Sequence, residues 1–238
     1  MTTTTHPYTP HNRLVNKYSL NAAALKWIAI FSMTVDHIGA VLLPYTGDFR
    51  LIELYRNVGR LAFPIFAFLL VEGYRHTSNK RKYLAYLIAF ACISEIPFDL
   101  AFAAQIFEPE YQNIFFTLAL SLVAIWAADN INTKTTHITW LLRILCVTTF
   151  AVISQLLGAD YGIWGPFVVF LFYLAHTRVT TILAAIGAAC TQYTMPGIFL
   201  APVFIGLYNG QRGRQNKWFF YIFYPAHLLV LHFIASVM

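Results

Sequence analysis

Long apolar runs separated by short polar breaks dominate this chain from end to end. A helix needs roughly 20 mostly apolar residues to cross a bilayer. The apolar runs fall at residues 22–43, 58–74, 83–102, 114–128, 140–157, 162–175, 180–193, 198–207 and 218–237. They predict an all-α protein, a polytopic membrane bundle of about nine helices (eight to ten) with a cytoplasmic N-terminus. Several runs are short, which is tolerated when helices pack against one another rather than lipid. The segment around Met195-Pro196-Gly197 is ambiguous. Residues 180–207 read as one long helix, two short spans or a re-entrant pair.

Charge narrows that choice. Cytoplasmic loops of membrane proteins are rich in Lys and Arg. With nine spans, Lys80-Arg81-Lys82, Lys134, Arg178, and Arg212, Arg214 and Lys217 all fall inside. Glu108, Glu110 and Asp160 fall outside, and only the loop with Asp48, Arg50, Glu53 and Arg56 is mixed. One span over 180–207 would put the last basic cluster outside, so two crossings or a re-entrant pair are expected. Residues 1–20 are polar and lack the apolar stretch of a signal peptide. The expected organisation is a polar cytoplasmic tail, 1–20, and one transmembrane domain, 21–238.

Composition agrees. Of the 238 residues, 58% are hydrophobic and 11% are charged, against about 25% charged in soluble domains. Mean hydropathy is +0.60. Disorder and an ordinary water-exposed globule are excluded. The net charge of +6 follows from basic inner loops and needs no nucleic-acid partner. Cys92, Cys146 and Cys190 sit in apolar runs without a CxxC pair. A disulfide framework and a cysteine zinc site are therefore excluded, and no metal is expected. The aromatic residues are expected mostly at lipid-facing or interfacial positions.

Ionisable groups inside membrane spans cost about 2.5–3.5 kcal/mol each and so mark function by default. The first run holds Lys26, Asp36 and His37; Arg56 and Arg60 enter the second, which ends at Glu72. Glu95 and Asp99 flank Pro97 in the third, and His227 and His232 lie in the last. Lys26 and His37 are eleven residues apart, which puts them on one helix face about 16 Å apart along the axis. A cation at the entrance and a titratable imidazole deeper on the same face suit a long substrate with an anionic head, such as a coenzyme A thioester. Histidine is also readily tuned as a base near neutral pH.

Plainer readings stand beside these. Lys26 reads as a snorkelling anchor, and Asp36 as a structural partner of Arg60 or Lys26. His37 reads as a packed interhelical histidine. Glu72, Glu95 and Asp99 read as an ion-pair network with Arg56, Arg60 and Arg75. His227 follows Tyr224-Pro225 and reads as a kink residue; His232 reads as a packing residue. Pro97 is expected to kink its helix and free carbonyls beside Glu95 and Asp99, an arrangement suited to an ammonium group. No HExxH, GxSxG or phosphate-cradling glycine loop occurs.

Five blocks, in order, resemble the TraX family. They are Ala24-Leu25-Lys26-Trp27-Ile28-Ala29 with Val35-Asp36-His37-Ile38-Gly39; Gly59-Arg60-Leu61-Ala62-Phe63-Pro64-Ile65-Phe66-Ala67-Phe68 with Glu72-Gly73-Tyr74; Ser94-Glu95-Ile96-Pro97-Phe98-Asp99; Gln112-Asn113-Ile114-Phe115-Phe116-Thr117; and Leu207-Tyr208-Asn209-Gly210 with Phe220-Tyr221-Ile222-Phe223-Tyr224-Pro225-Ala226-His227-Leu228. The resemblance implies an integral acetyltransferase of the bacterial inner (cytoplasmic) membrane. It also implies acetyl-CoA as donor and a pilin N-terminus or an envelope glycan as acceptor. The family is similar in turn to the acyltransferase family 3 group, whose basic residue, ten-residue gap and catalytic histidine match Lys26 and His37. That group's paired arginines, separated by two residues, have no close copy, since three residues separate Arg56 and Arg60. The reading assigns His37 and Asp36 to catalysis, and Lys26, Asn209 and Arg212 to the donor. Arg60, Glu72, Glu95, Asp99, Asn113, Tyr224 and His227 fall to the substrate side. A proton-coupled transporter relay through Asp36, His37, Glu72, Glu95 and His227, and a non-catalytic pilus or secretion assembly factor, are the rivals.

Overall fold

The structure is a computed structural model that describes residues 19–191 and 195–238. The tail, 1–18, lies outside the described residues, as do residues 192–194 of the ambiguous Pro196 region. Among the described residues, ten α-helices follow one another. They are α1 (Ala22–Val41), α2 (Phe49–Gly59), α3 (Ala62–His76), α4 (Lys80–Ala103), α5 (Ile114–Asn130), α6 (Thr136–Leu156), α7 (Trp164–Leu174), α8 (Arg178–Cys190), α9 (Ala201–Gly206) and α10 (Lys217–Ser236). Short 3₁₀ turns cover Leu43–Thr46 and Pro196–Leu200. No strand occurs among the described residues.

Each predicted apolar run has a helix in it. Four are long and apolar enough to cross a membrane singly: α1, α4, α6 and most of α10. Phe49–His76, which is α2 with α3, makes a fifth such stretch of 28 residues. The mixed-charge loop expected near residue 50 is thus largely helical. Asp48 explains its start, because its carboxylate accepts from the backbone N–H groups of Arg50 and Leu51. Asparagines do the same elsewhere: Asn21, Asn79, Asn113 and Asn216 cap α1, α4, α5 and α10. Each stands where a polar break meets an apolar run.

The elbow between α2 and α3 shapes the interior. Gly59 presses on α1 so closely that a side chain there would overlap Asp36. Ser32 in α1 donates to the carbonyls of Val58, at 2.7 Å, and Gly59, at 3.0 Å. Those bonds serve carbonyl groups near the break in the helix. The elbow thereby fixes Arg56 and Arg60 against α1.

Hydrogen bonds sort the helix termini into two ends of the bundle. At one end, Leu20 and Tyr208 form a short parallel bridge, and the carbonyls of Gln211 and Arg212 accept from Ala22 and Ala23. Arg178 bonds the Gly206 carbonyl, Arg75 bonds the Ala175 carbonyl, and Lys80 pairs with Asp129. At the opposite end, Gln112 and Ala159 form a second bridge, Tyr111 bonds Asp160, and Arg56 bonds Asp36. The first end carries Lys80, Arg81, Lys82, Lys134, Arg178, Arg212 and Arg214; the second carries Asp48, Glu53, Glu108, Glu110 and Asp160 along with Arg50, Arg56 and Arg60.

α4 runs as one helix from Lys80 to Ala103 through Pro97, because losing one backbone donor need not break a helix whose neighbours hold it. One expectation changes, since the aromatic residues do not mostly face outward. Trp27, Trp140, Trp164 and Trp218 are exposed, but Phe63, Phe68, Phe98, Phe115, Phe172, Tyr74 and Tyr224 are buried in the core. In a bundle this large the inner helices need bulky side chains to fill the space between them.

Candidate functional site

A cavity of about 190 Å³ opens between α1, the α2–α3 elbow, α4, α10 and the loop before α7. Met33, Asp36, His37 and Ala40 come from α1, Arg56, Gly59 and Arg60 from the elbow, and Phe98 and Phe102 from α4. Tyr111, Asp160, Tyr161 and Tyr224 complete its polar wall. It sits toward the less basic end of the bundle.

His37 is buried, and its Nδ1 lies 2.7 Å from Nε2 of His227, also buried. His227 Nδ1 lies 2.9 Å from the Phe223 carbonyl oxygen. The sequence put His227 on the substrate side; the structure puts it against His37. Asp36 meets Arg56, at 2.6 Å from Nη1 to Oδ2. This corrects the expected pairing with Arg60 or Lys26. Arg56 reaches Asp36 from the elbow, whereas Arg60 turns its Nε to the Met195 sulfur at 3.3 Å. The second oxygen of Asp36, Oδ1, is buried without a partner among the described residues.

The carboxylates of α4 stand beside this wall. Asn113 donates to Glu95 and, at 2.8 Å, to the Ala91 carbonyl. Its own Oδ1 caps α5 at Phe115. Asp99 accepts from the Glu108 backbone N–H at 2.9 Å. Neither Glu95 nor Asp99 pairs with an arginine among the described residues, contrary to the ion-pair network weighed from sequence. Glu95 Oε1, Asp99 Oδ1 and the hydroxyl of Ser94 are buried and unpartnered.

Four assigned residues lie elsewhere. Glu72 is in α3, 3.5 Å from Arg75, and is not part of the cavity wall. Lys26 is near the start of α1, its Nζ 5.2 Å above the Phe220 ring. Arg212 belongs to an open basin with Arg214, Gln215 and Asn216 at the basic end. Asn209 is engaged in the bundle, donating to Ser19 at 3.3 Å and accepting from the Gln211 N–H at 2.9 Å. Neither Lys26 nor Arg212 lines the His37 cavity.

The sequence missed Tyr111 and Tyr161 and took Asp160 for a plain outer-loop charge. Tyr161 has a left-handed backbone, φ 67°, and its ring stacks on Phe63 with centroids 3.7 Å apart. A bulky residue in that conformation is strained, which is common at functional sites. Tyr111 donates to Asp160 at 2.8 Å. Burial still pushes the Asp160 carboxyl above its ordinary range, against that hydrogen bond and the nearby arginines. The polar break Asp160-Tyr161-Gly162 between two apolar runs was the available signal.

Fold and site together define an all-helical, membrane-type protein whose cavity is lined by His37 and a carboxylate–arginine pair, with His227 bonded to His37 from behind the wall. Residues 21–235 match the model of the family described as TraX protein. The chain is 33% identical over 241 residues to a protein of Dichelobacter nodosus named "Probable fimbrial assembly protein FimC, serogroup H1", covering 89% of this chain and 94% of the relative. The chain belongs to the TraX family. No solved structure matches it.

Proposed function

We propose that this protein is a membrane-bound acetyltransferase that moves an acetyl group from acetyl-CoA to an amine or hydroxyl. His37 is the general base in this reading. The observation that carries it is the cavity, whose wall holds the His37 imidazole together with the Asp36–Arg56 pair, Arg60 and the side chains of Tyr111, Tyr161 and Tyr224. TraX membership supports it, since that family is linked to pilin acetylation. The acceptor is a pilin N-terminus or an envelope glycan.

In the transfer step, the acceptor nitrogen or oxygen attacks the acetyl carbonyl carbon and its proton passes to a free imidazole nitrogen of His37. The carbon–sulfur bond breaks, and the proton moves from His37 to the departing thiolate. Acetylated acceptor and free coenzyme A thiol result. A positioned base of this kind contributes about 10²–10⁴-fold. Arg60 supplies a fixed cation to the oxygen that gains charge, and Asp36 holds Arg56 in place. Lys26, Arg212 and Arg214 attract the donor phosphates at the basic end.

Nine crossings fit the bundle, with α2–α3 as one and Pro196–Gly206 as another. The basic end then faces the cytoplasm, the N-terminus with it, and the His37 cavity lies toward the outer face of the cytoplasmic membrane. The donor enters from one side and the acceptor from the other. The short helices α7 and α8 bury much of their surface against neighbours, so their length need not match the lipid.

The printed name of the Dichelobacter nodosus relative favours a second reading, a non-catalytic role in fimbrial assembly. One experiment separates the two. Purified protein in detergent is incubated with labelled acetyl-CoA and membrane extract, beside His37→Gln. Label transferred by wild type, and lost by about 10²–10⁴-fold in the variant, supports the enzyme. No transfer by wild type, or equal transfer by both, rejects it.

A further inference from the structure

The candidate base has a fixed partner on another helix, and we infer that His227 decides which nitrogen of His37 carries the lone pair. This deepens the acetyltransferase reading and rests on it for the activity measurement. His227 Nδ1 lies 2.9 Å from the Phe223 carbonyl oxygen, one turn back in α10. A carbonyl oxygen only accepts, so His227 Nδ1 carries the hydrogen. In a neutral imidazole the other nitrogen then holds the lone pair. That nitrogen, Nε2, is 2.7 Å from His37 Nδ1. His37 Nδ1 therefore donates, and the lone pair of neutral His37 is on Nε2.

The surroundings hold this arrangement. The two rings are 8° from parallel with centroids 5.0 Å apart. An N···N contact of 2.7 Å at that separation is an edge-to-edge hydrogen bond rather than face stacking. Phe102 meets the His37 ring at 85° and 5.3 Å, and the Phe223 ring lies parallel to His227 at 5.0 Å. Only 9% of His37 and 8% of His227 are exposed, so water competes little for the shared bond. The other tautomer of His37 would set two lone pairs against each other in a buried place, and both would go unsatisfied.

The consequence is directional. Nδ1 of His37 is committed to α10, which leaves Nε2 as the one nitrogen able to take a proton from an acceptor. Once it does, the bond from His37 to His227 becomes charge-assisted and roughly twice as strong. His227 stays neutral throughout. It is absent from the cavity wall, so it is a positioning residue that acts through His37.

The test uses the full chain in detergent with His227→Gln and His227→Phe. The glutamine oxygen accepts from His37 Nδ1 much as His227 Nε2 does; phenylalanine fills the space and accepts nothing. His227→Phe should lower kcat at least about tenfold, by analogy with losing the partner that orients a metal-bound histidine, with KM for acetyl-CoA unchanged. His227→Gln should recover most of the rate. Nitrogen-15 NMR of histidine-labelled protein, above both imidazole titrations, should find His37 protonated at Nδ1 in wild type and His227→Gln, with the other tautomer appearing in His227→Phe. A neutral wild-type His37 protonated at Nε2 overturns the inference. So does a folded but inactive His227→Gln, or wild-type kcat in His227→Phe while His37→Gln is dead. If His37→Gln keeps its turnover, the acetyltransferase reading fails, and the NMR tautomer still decides the inference.

Discussion

The two ends of the bundle spend their polar groups differently. At the basic end, Asp129 accepts from Tyr74 at 2.6 Å, from Lys80 at 3.4 Å and from Tyr173. Arg75 Nη2 donates to the carbonyls of Phe172, Tyr173 and Ala175 at 3.2, 2.9 and 2.6 Å, the groups left open where α7 ends. The exceptions there are Glu72 Oε2 and Gln215 Oε1, which have no partner among the described residues. Around the His37 cavity the balance reverses. Asp36, Glu95 and Asp99 each use one oxygen and leave the other buried and unpartnered, as does the Ser94 hydroxyl. A buried polar atom without a partner costs about 1–3 kcal/mol. On the proposed acetyltransferase reading, these are the atoms that water or substrate satisfies. The basic end fastens the helices; on the proposed reading, the cavity end keeps capacity for chemistry.

The sharpest test of that contrast is which side each end faces. Single cysteines at Ser78 and Glu110, in a background lacking the three native cysteines, should respond in opposite ways to an impermeant maleimide added outside. Glu110 should label and Ser78 should not. Labelling of both, or of Ser78 alone, would break the assignment of donor and acceptor ends.

A stability comparison comes next. Arg75→Met strips three carbonyl bonds from the end of α7 and should cost about 2–4 kcal/mol, in line with hydrogen bonds to a charged group. Turnover per folded molecule should stay the same. His37→Gln should do the reverse, losing turnover while its unfolding midpoint holds. Denaturation curves and kinetics on both variants give the answer, and an Arg75 variant that is folded but inactive would erase the distinction.

The smallest effect concerns Asp160. Burial raises its carboxyl pKa in the folded chain above the ordinary 3.8. The protonated form therefore favours folding fully below 3.8, and that contribution is lost as pH rises through the raised value. At neutral pH wild type carries a cost that asparagine lacks. Asp160→Asn should raise the midpoint by about 2 °C at pH 7, with the gap closing toward pH 4. A lower midpoint at pH 7 would show that Asp160 is held charged by Arg60 and Arg56.

Much of the helical layout was legible beforehand, because periodic apolar runs ended by Asn, Asp, Gly or basic breaks leave few alternatives to helices. The nine apolar runs all contain helix, and His37 was visible from its spacing to Lys26. The family resemblance also came from contiguous blocks, which a sequence displays directly. The misread features were of another kind. Residues near 50 read as loop because their charges hide an amphipathic helix that packs on α1. Glu72 looked like its fellow carboxylates, yet it faces Arg75 rather than the cavity.

The sequence alone determined that this chain is helical, apolar enough for a membrane, and equipped with ionisable groups in its spans, since hydrophobic period and charge are local properties. Tertiary structure alone decided which of those groups meet. His37 and His227 are 190 residues apart, Asp36 found Arg56 rather than Arg60 only through the elbow at Gly59, and Tyr161 joined the wall from a loop. Those pairings depend on how helices cross and where backbones approach, and spacing along one helix carries no information about the side chain that arrives from another.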